Sequence, residues 1–182
     1  MTSMFDVGLE KNNANHFPLT PISFLHRTAR TYPDHIAIIH GEIQRTWEST
    51  ADRCSRLASG LAQQGIKAGD TVSIISPNIP EMFEAHFGIP MLGAVLNPLN
   101  TRLDSDSLAY ILEHGESKAL ITDTEYSSVI SRALKKIKRD ILIIDIDDPT
   151  SSGGERLGSK LYDELLDEGR EPFSMHVPED EW

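Results

Sequence analysis

Hydrophobic and polar positions along the chain switch period repeatedly, and the switches predict its elements. Ile22, Leu25, Ala29 and Tyr32 fall on one helical face that Pro33 ends, and Ile36–His40 is a β-branched run closed by Gly41. Arg45–Trp47 can return as the hairpin partner of that run, and Thr46 can cap a long helix. The apolar stripe of that helix is Ala51, Cys54, Leu57, Ala58, Leu61 and Ala62, with Gly65 in the left-handed capping position. Thr71–Ile75 reads as a buried strand, Asn78 as an N-cap, Pro80 as a first-turn proline and Pro90 as a kink or stop.

Gly93 breaks the pattern before a short strand, Ala94–Leu96, and a polar exit loop, Asn97-Pro98-Leu99-Asn100-Thr101-Arg102. Asp104 caps the next helix, Leu103 staples onto Leu108, and Gly115 stops it. Ala119–Thr122 and Ile141–Ile146 read as strands around a helix over Glu125–Lys136. Asp147–Gly158 is a loop, and Lys160–Leu166 a last short helix before a Pro-containing acidic tail. Strands alternating with helices predict an α/β fold, layered, with a mostly parallel sheet flanked by helices.

Charge narrows the partners. The 182 residues carry a net charge of −11, which argues against a general binder of nucleic acid or anionic membrane. No apolar run approaches the ~20 residues a membrane span needs, so no membrane span is expected. Residues 1–18 lack a basic region and an apolar region, and read as a flexible leader rather than a secretory signal. One cysteine, Cys54, excludes an internal disulfide and suits a reducing compartment, the cytoplasm. The length suffices for a real core, burying roughly 70% of the unfolded surface.

Several residues invite a chemical reading. The exit loop after Leu96 lies where open α/β sheets place ligands, beyond the carboxyl ends of strands. Within it, the Arg102 guanidinium suits a bidentate phosphate contact, or else pairs with Asp104 or Asp106. Asn97 and Asn100 are expected to satisfy local backbone. Gly153-Gly154-Glu155-Arg156-Leu157-Gly158-Ser159-Lys160 nearly matches a phosphate loop, but Ser and Lys are exchanged, so a surface loop is the better reading. The basic run Arg132, Lys135, Lys136, Lys138 and Arg139 suits a solvated helix end. His86 is expected in packing and Cys54 as an inert buried thiol. Asp145, Asp147 and Asp148 could hold magnesium but more simply form a turn.

Four segments in order, RTWESTADRCSRLASGLAQQGIKAGDTVSIISPN, EAHFGIPMLGAVLNPLNTRL, LAYILEHGESKALITD and EDEW, resemble the N-terminal part of adenylate-forming acyl-CoA synthetases, the AMP-dependent synthetase/ligase superfamily. One departure is Thr46-Trp47-Glu48-Ser49, where the family's capping-box acid is shifted by one position. The resemblance implies that residues 19–182 are part of a large N-terminal domain, ending before the phosphate-binding loop. It also implies a reaction in which ATP, a fatty or other carboxylic acid and coenzyme A give acyl-CoA, AMP and pyrophosphate through an acyl-adenylate. ATP, Mg2+ and coenzyme A would serve the parent enzyme, and the remainder of the ligase, in cis or in trans, would be the partner. The family's Ser/Thr/Gly-rich loop ending in Lys, its aromatic-x-Glu segment, its ribose-binding Asp and its C-terminal Lys do not occur here. The isolated chain is therefore expected to bind no cofactor and to be inactive, or to act as a non-catalytic module complementing a separately made remainder. In parts of the family an Arg at the place of Arg102 lies near the phosphates of coenzyme A, which makes Arg102 the one residue carried over.

Overall fold

A computed structural model describes residues 19–169, together with Phe5, Val7, Gly8, Asn12, Ala14 and His16. The leader and tail expectations fall largely outside the described residues. The first helix, α1 (Pro21–Thr31), begins one residue before the first position of its apolar stripe, Ile22. Thr20 caps it, and Thr20 and Ser23 satisfy each other's backbone amides in a capping box. Next come an antiparallel hairpin of β1 (Ile36–His40) and β2 (Ile43–Thr46), and the long α2 (Trp47–Gln63). Thr46 caps α2 by accepting the Ser49 amide at 3.2 Å, and Gly65 takes φ +86° just past its end. Glu48 plays no part in that cap, as its shifted position implies. Thr46→Ala is expected to cost about 1 kcal/mol, read as a lower urea midpoint with an unchanged slope.

The main sheet has five parallel strands in the order β4-β3-β5-β6-β7, where β3 is Thr71–Ile75, β4 Val95–Pro98, β5 Ser117–Asp123, β6 Leu142–Ile146 and β7 Lys160–Leu161. Helices α3 (Pro80–Met91), α4 (Ser105–His114), α5 (Ser127–Leu134) and α6 (Tyr162–Glu168) complete the chain. Alternation along each strand divides the core between the two faces. Val72, Ile74, Ile121, Ile144 and Ile146 pack with α1, α2, α3 and α6, while Ile75, Leu120 and Ile143 pack with α4 and α5. The fold is an α/β sandwich of helices on both faces of a mostly parallel sheet, as the pattern predicts.

Four local expectations need correction. Asn78 does not cap α3, because Ile79 holds the N-cap position and no side chain caps there. The strand expected at Ala94–Leu96 runs from Val95 to Pro98. The Leu99 amide reaches the Ile74 carbonyl, and Pro98 is tolerated because β4 is an edge strand. The helix expected from Glu125 starts at Ser127, since Asp123 caps a 3-10 turn over Thr124–Tyr126. Lys160 and Leu161 pair with β6 instead of opening the last helix. Gly115 ends α4 as expected, but the positive φ falls on Glu116 at 52°.

Candidate active-site edge

All five strands of the sheet point the same way, so their carboxyl ends share one edge. From β3 the chain moves outward to β4, then crosses back over β3 to β5. The connections of β3 and β5 therefore diverge at Ser76–Asn78 and Asp123–Thr124, the topological switch point where such sheets usually place a ligand. The exit loop of β4 flanks it, with Thr101 of that loop beside Tyr126 on the 3-10 turn.

Arg102 is exposed on this loop. Its backbone amide donates to Asn100 Oδ1 at 2.9 Å, so Asn100 performs the turn chemistry expected of it. Neither acid proposed as a surface partner pairs with the guanidinium: Asp104 caps α4 through the Asp106 and Ser107 amides, and Asp106 pairs with Lys136 at 2.6 Å. Asn97 departs from expectation. Its side chain donates to Ser73 Oγ at 2.9 Å, and Ser73 and Ser117 hydroxyls lie 2.7 Å apart, so a polar ladder crosses three strands. Only the pairing of Ser73 with Asn97 across β3 and β4 brings these residues together.

The glycine-rich segment has its amides committed elsewhere. Leu157 and Gly158 donate to the buried Asp145 carboxylate at 3.1 and 2.7 Å. A loop whose amides hold the chain's own carboxylate does not fit a phosphate. Asp148 forms the expected turn, accepting the Thr150 amide at 2.9 Å and the Thr150 hydroxyl at 2.8 Å, with His40 Nε2 at 3.1 Å. No group of three or more His, Cys, Asp or Glu among the described residues is arranged to hold a metal ion.

Burial works against the Asp148 charge, but Thr150 and His40 outweigh it and hold its carboxyl below the usual range. A depressed folded value gives stability that is present above the unfolded value near 3.8 and lost as pH falls through the folded one. Asp148→Asn is expected to flatten the acid limb of the stability profile below about pH 4. An unchanged limb in acid titrations followed by circular dichroism would count against that pairing.

The basic run is a solvated helix end: Arg132 bonds Ser128, Lys136 bonds Ser105 and Asp106, and Arg139 faces Glu113. His86 is not packed inside. It is exposed, its Nδ1 donating to the Met82 carbonyl at 2.7 Å, because α3 buries Glu84, Ala85, Gly88 and Ile89 instead. It borders an open groove of about 620 Å3 between β1 and α3, together with Ile39, Phe83 and Phe87. Cys54 is fully buried, and burial followed by the nearby Glu84 charge raises its thiol far above the usual range.

Sequence reasoning missed a buried charge cluster that joins three helices and the hairpin. Glu84 is fully buried on α3 and receives Arg45 Nη1 from β2, Arg53 Nε from α2 at 2.7 Å and the Tyr162 hydroxyl from α6 at 3.0 Å. Glu81 also faces both guanidiniums, at 3.3 and 3.8 Å. Burial raises the Glu84 pKa, and the two guanidiniums pull against it. Burial also opposes the Arg53 charge, but Glu84 outweighs it and the pKa of Arg53 is raised. The available signal was a glutamate inside the otherwise apolar FEAHFGIPM helix.

Comparison with known proteins places this architecture. Residues 25–178 match the AMP-binding enzyme family, and the chain belongs to it. It is 44% identical to a peroxisomal butyrate–CoA ligase of Arabidopsis thaliana, over 86% of this chain and 28% of that protein. It is 41% identical to a peroxisomal acetate/butyrate–CoA ligase of the same plant, over 96% of this chain and 33% of that protein. Among solved structures, an o-succinylbenzoate coenzyme A synthetase of Bacillus subtilis in complex with AMP matches with a TM-score of 0.64 and 25% identity. That match covers 85% of this chain and 35% of the other. The chain thus spans about a third of the length of the curated relatives it matches and corresponds to the N-terminal part of an adenylate-forming ligase.

Proposed function

We propose that this chain is the front portion of an acyl-CoA synthetase, with residues 19–182 as part of its large N-terminal domain. In the parent enzyme a carboxylate oxygen attacks the α-phosphorus of ATP and pyrophosphate leaves. The thiolate of coenzyme A then attacks the acyl carbon and AMP leaves. The observation that carries this reading is the continuous family match over residues 25–178. The named relatives act on butyrate and acetate, so we favour short apolar carboxylates within the wider class of fatty acids. The ATP and magnesium chemistry belongs to segments other than the edge described above, whose glycine-rich amides are occupied by Asp145. The 182 residues alone are therefore expected to be inactive.

Pyrophosphate exchange tests both statements. The full ligase carrying this segment should exchange pyrophosphate into ATP with acetate or butyrate, and the 182-residue chain should not. Exchange by the short chain would overturn its inactivity, and silence of the full ligase with every carboxylate would overturn the ligase assignment. Arg102, exposed and without an ion pair among the described residues, is the group we assign to a phosphate of coenzyme A. Arg102→Ala in the full ligase should raise the KM for coenzyme A about tenfold or more, as loss of a charged hydrogen bond does. The adenylation half-reaction should stay unchanged, and an equal loss in both halves would remove Arg102 from that role.

A second reading is a complementing module that docks on a separately made remainder. It draws on the hairpin, where Ile36 and Ile39 are 48% and 69% exposed beside the apolar groove. Mixing the two pieces should then restore exchange. No helix among the described residues is long and apolar enough to cross a membrane. We place the protein in the cytoplasm, with the peroxisome named for its relatives as the alternative that fractionation decides.

A further inference from the structure

At the carboxyl end of β5, Asp123 is fully buried and half satisfied. Its Oδ1 accepts the Glu125 amide at 2.8 Å, while Oδ2 is buried with no hydrogen-bond partner. An ionised oxygen so placed is costly, and a proton removes most of that cost. The groups facing it make ionisation harder still. They are Asp148 from the loop after β6, with His40 of β1 as its partner; Glu125 on Asp123's own turn; and Glu81 of α3, which is engaged with Arg45 and Arg53. Burial first, then these three acids, raises the Asp123 pKa against the lowering effect of the Glu125 amide.

The glycine-rich loop is fastened to the same turn. Glu155 donates its amide to Ser127 Oγ at 3.0 Å, and Ser152 reaches Glu125 at 3.4 Å. Gly154 lies so close that a Cβ there would stand 1.8 Å from the Thr124 carbonyl oxygen. Asp148, at the loop's start, is held by Thr150 and His40. Asp145 pins the far end of the loop through the Leu157 and Gly158 amides. Residues 151–155, however, are held to the turn by the Gly154 contact and the Ser127 and Glu125 hydrogen bonds, so this stretch responds to the charge on the turn beneath it.

We infer that segment 151–155 of this loop is a proton-controlled latch on the carboxyl edge of the sheet, closed on the 3-10 turn while Asp123 is protonated and loosened when Asp123 ionises. The sign follows from linkage. A folded value above the unfolded one gives a stabilisation that is complete below the unfolded value and is lost as pH rises through the folded value. The latch therefore loosens with rising pH, opposite to the acid-side loss set by Asp148.

Amide hydrogen exchange of the 182-residue chain tests this across pH 4–8, after correction for intrinsic rates. Residues 151–155 should lose protection at least threefold with rising pH, whereas the Leu157 and Gly158 amides, held by Asp145, and the amides of β5 should not. Asp123→Asn should make the protection of that segment independent of pH. Histidines titrate in the same range, so His40→Gln serves as the second variant and should leave the pH dependence in place. A pH-independent wild type, an Asp123→Asn chain that keeps the dependence, or its disappearance in His40→Gln alone would each overturn the latch.

Discussion

Glu84→Ala is expected to destabilise the chain by about 3–5 kcal/mol, the cost of breaking a buried, hydrogen-bonded charge cluster. The loss does not come from one ion pair. Glu84 joins β2 through Arg45, α2 through Arg53 and α6 through Tyr162, so its removal leaves two guanidiniums and a buried hydroxyl facing each other. Arg45 and Arg53 retain Glu81 as a partner, and Arg53 also retains Asp163 at 2.9 Å, which limits the penalty. Glu84→Gln keeps the shape and one acceptor, and should lie between alanine and wild type. Urea unfolding followed by circular dichroism measures both. A loss below about 1 kcal/mol for alanine, the size of an exposed pair, would mean that the cluster is solvated and not a structural hub.

Gly88→Val is expected to cost about 3 kcal/mol, at the upper end for an overpacked core. Helices α2 and α3 meet here with no room for a side chain. A Cβ on Gly88 would stand 2.7 Å from Leu57 Cδ2 and 2.8 Å from the Cys54 carbonyl oxygen. The leucine methyl can swing away, but the carbonyl belongs to the α2 backbone and moves only if the helices separate. Leu57→Ala on the Gly88→Val background should therefore fail to restore stability, although it removes the nearest side-chain atom, Cδ2. Gly88→Ala should cost less, because alanine regains about 1 kcal/mol of helix propensity over glycine. Recovery of wild-type stability in the double variant would show that side-chain crowding alone set the cost.

Both positions lie on one face of α3, and neither announced itself in the periodic pattern. The helix segment FEAHFGIPM is largely apolar, so its acid and its glycine look like interruptions. Packing explains both. The glycine lets α2 approach, and the approach brings Arg53 within reach of Glu84 beside the hairpin's Arg45. The same lesson holds at the sheet edge. Asn100 bonds the backbone two residues on, a local relation that composition predicts. Asn97, three residues before it, instead lies in β4 and bonds Ser73 on the neighbouring strand.

Strands, helices and their alternation were legible because hydrophobic period is a local property. Each run of 5–17 residues carries its own signature, and caps such as Thr46 and Asp104 act within three residues of themselves. The family resemblance was legible for the same reason, resting on contiguous segments in order. What the sequence by itself determined is therefore the α/β layering, most element positions and the class of ligase to which the segment belongs. Only the tertiary structure decided that Glu84 is a hub, that Asp145 occupies the glycine-rich amides and that Asp123 keeps an unpartnered oxygen. The first two depend on residues distant in sequence, from 12 positions for Asp145 and Leu157 to 78 for Glu84 and Tyr162, brought to hydrogen-bond distance by strand order and helix packing, and the third on the burial that the packed sheet edge imposes.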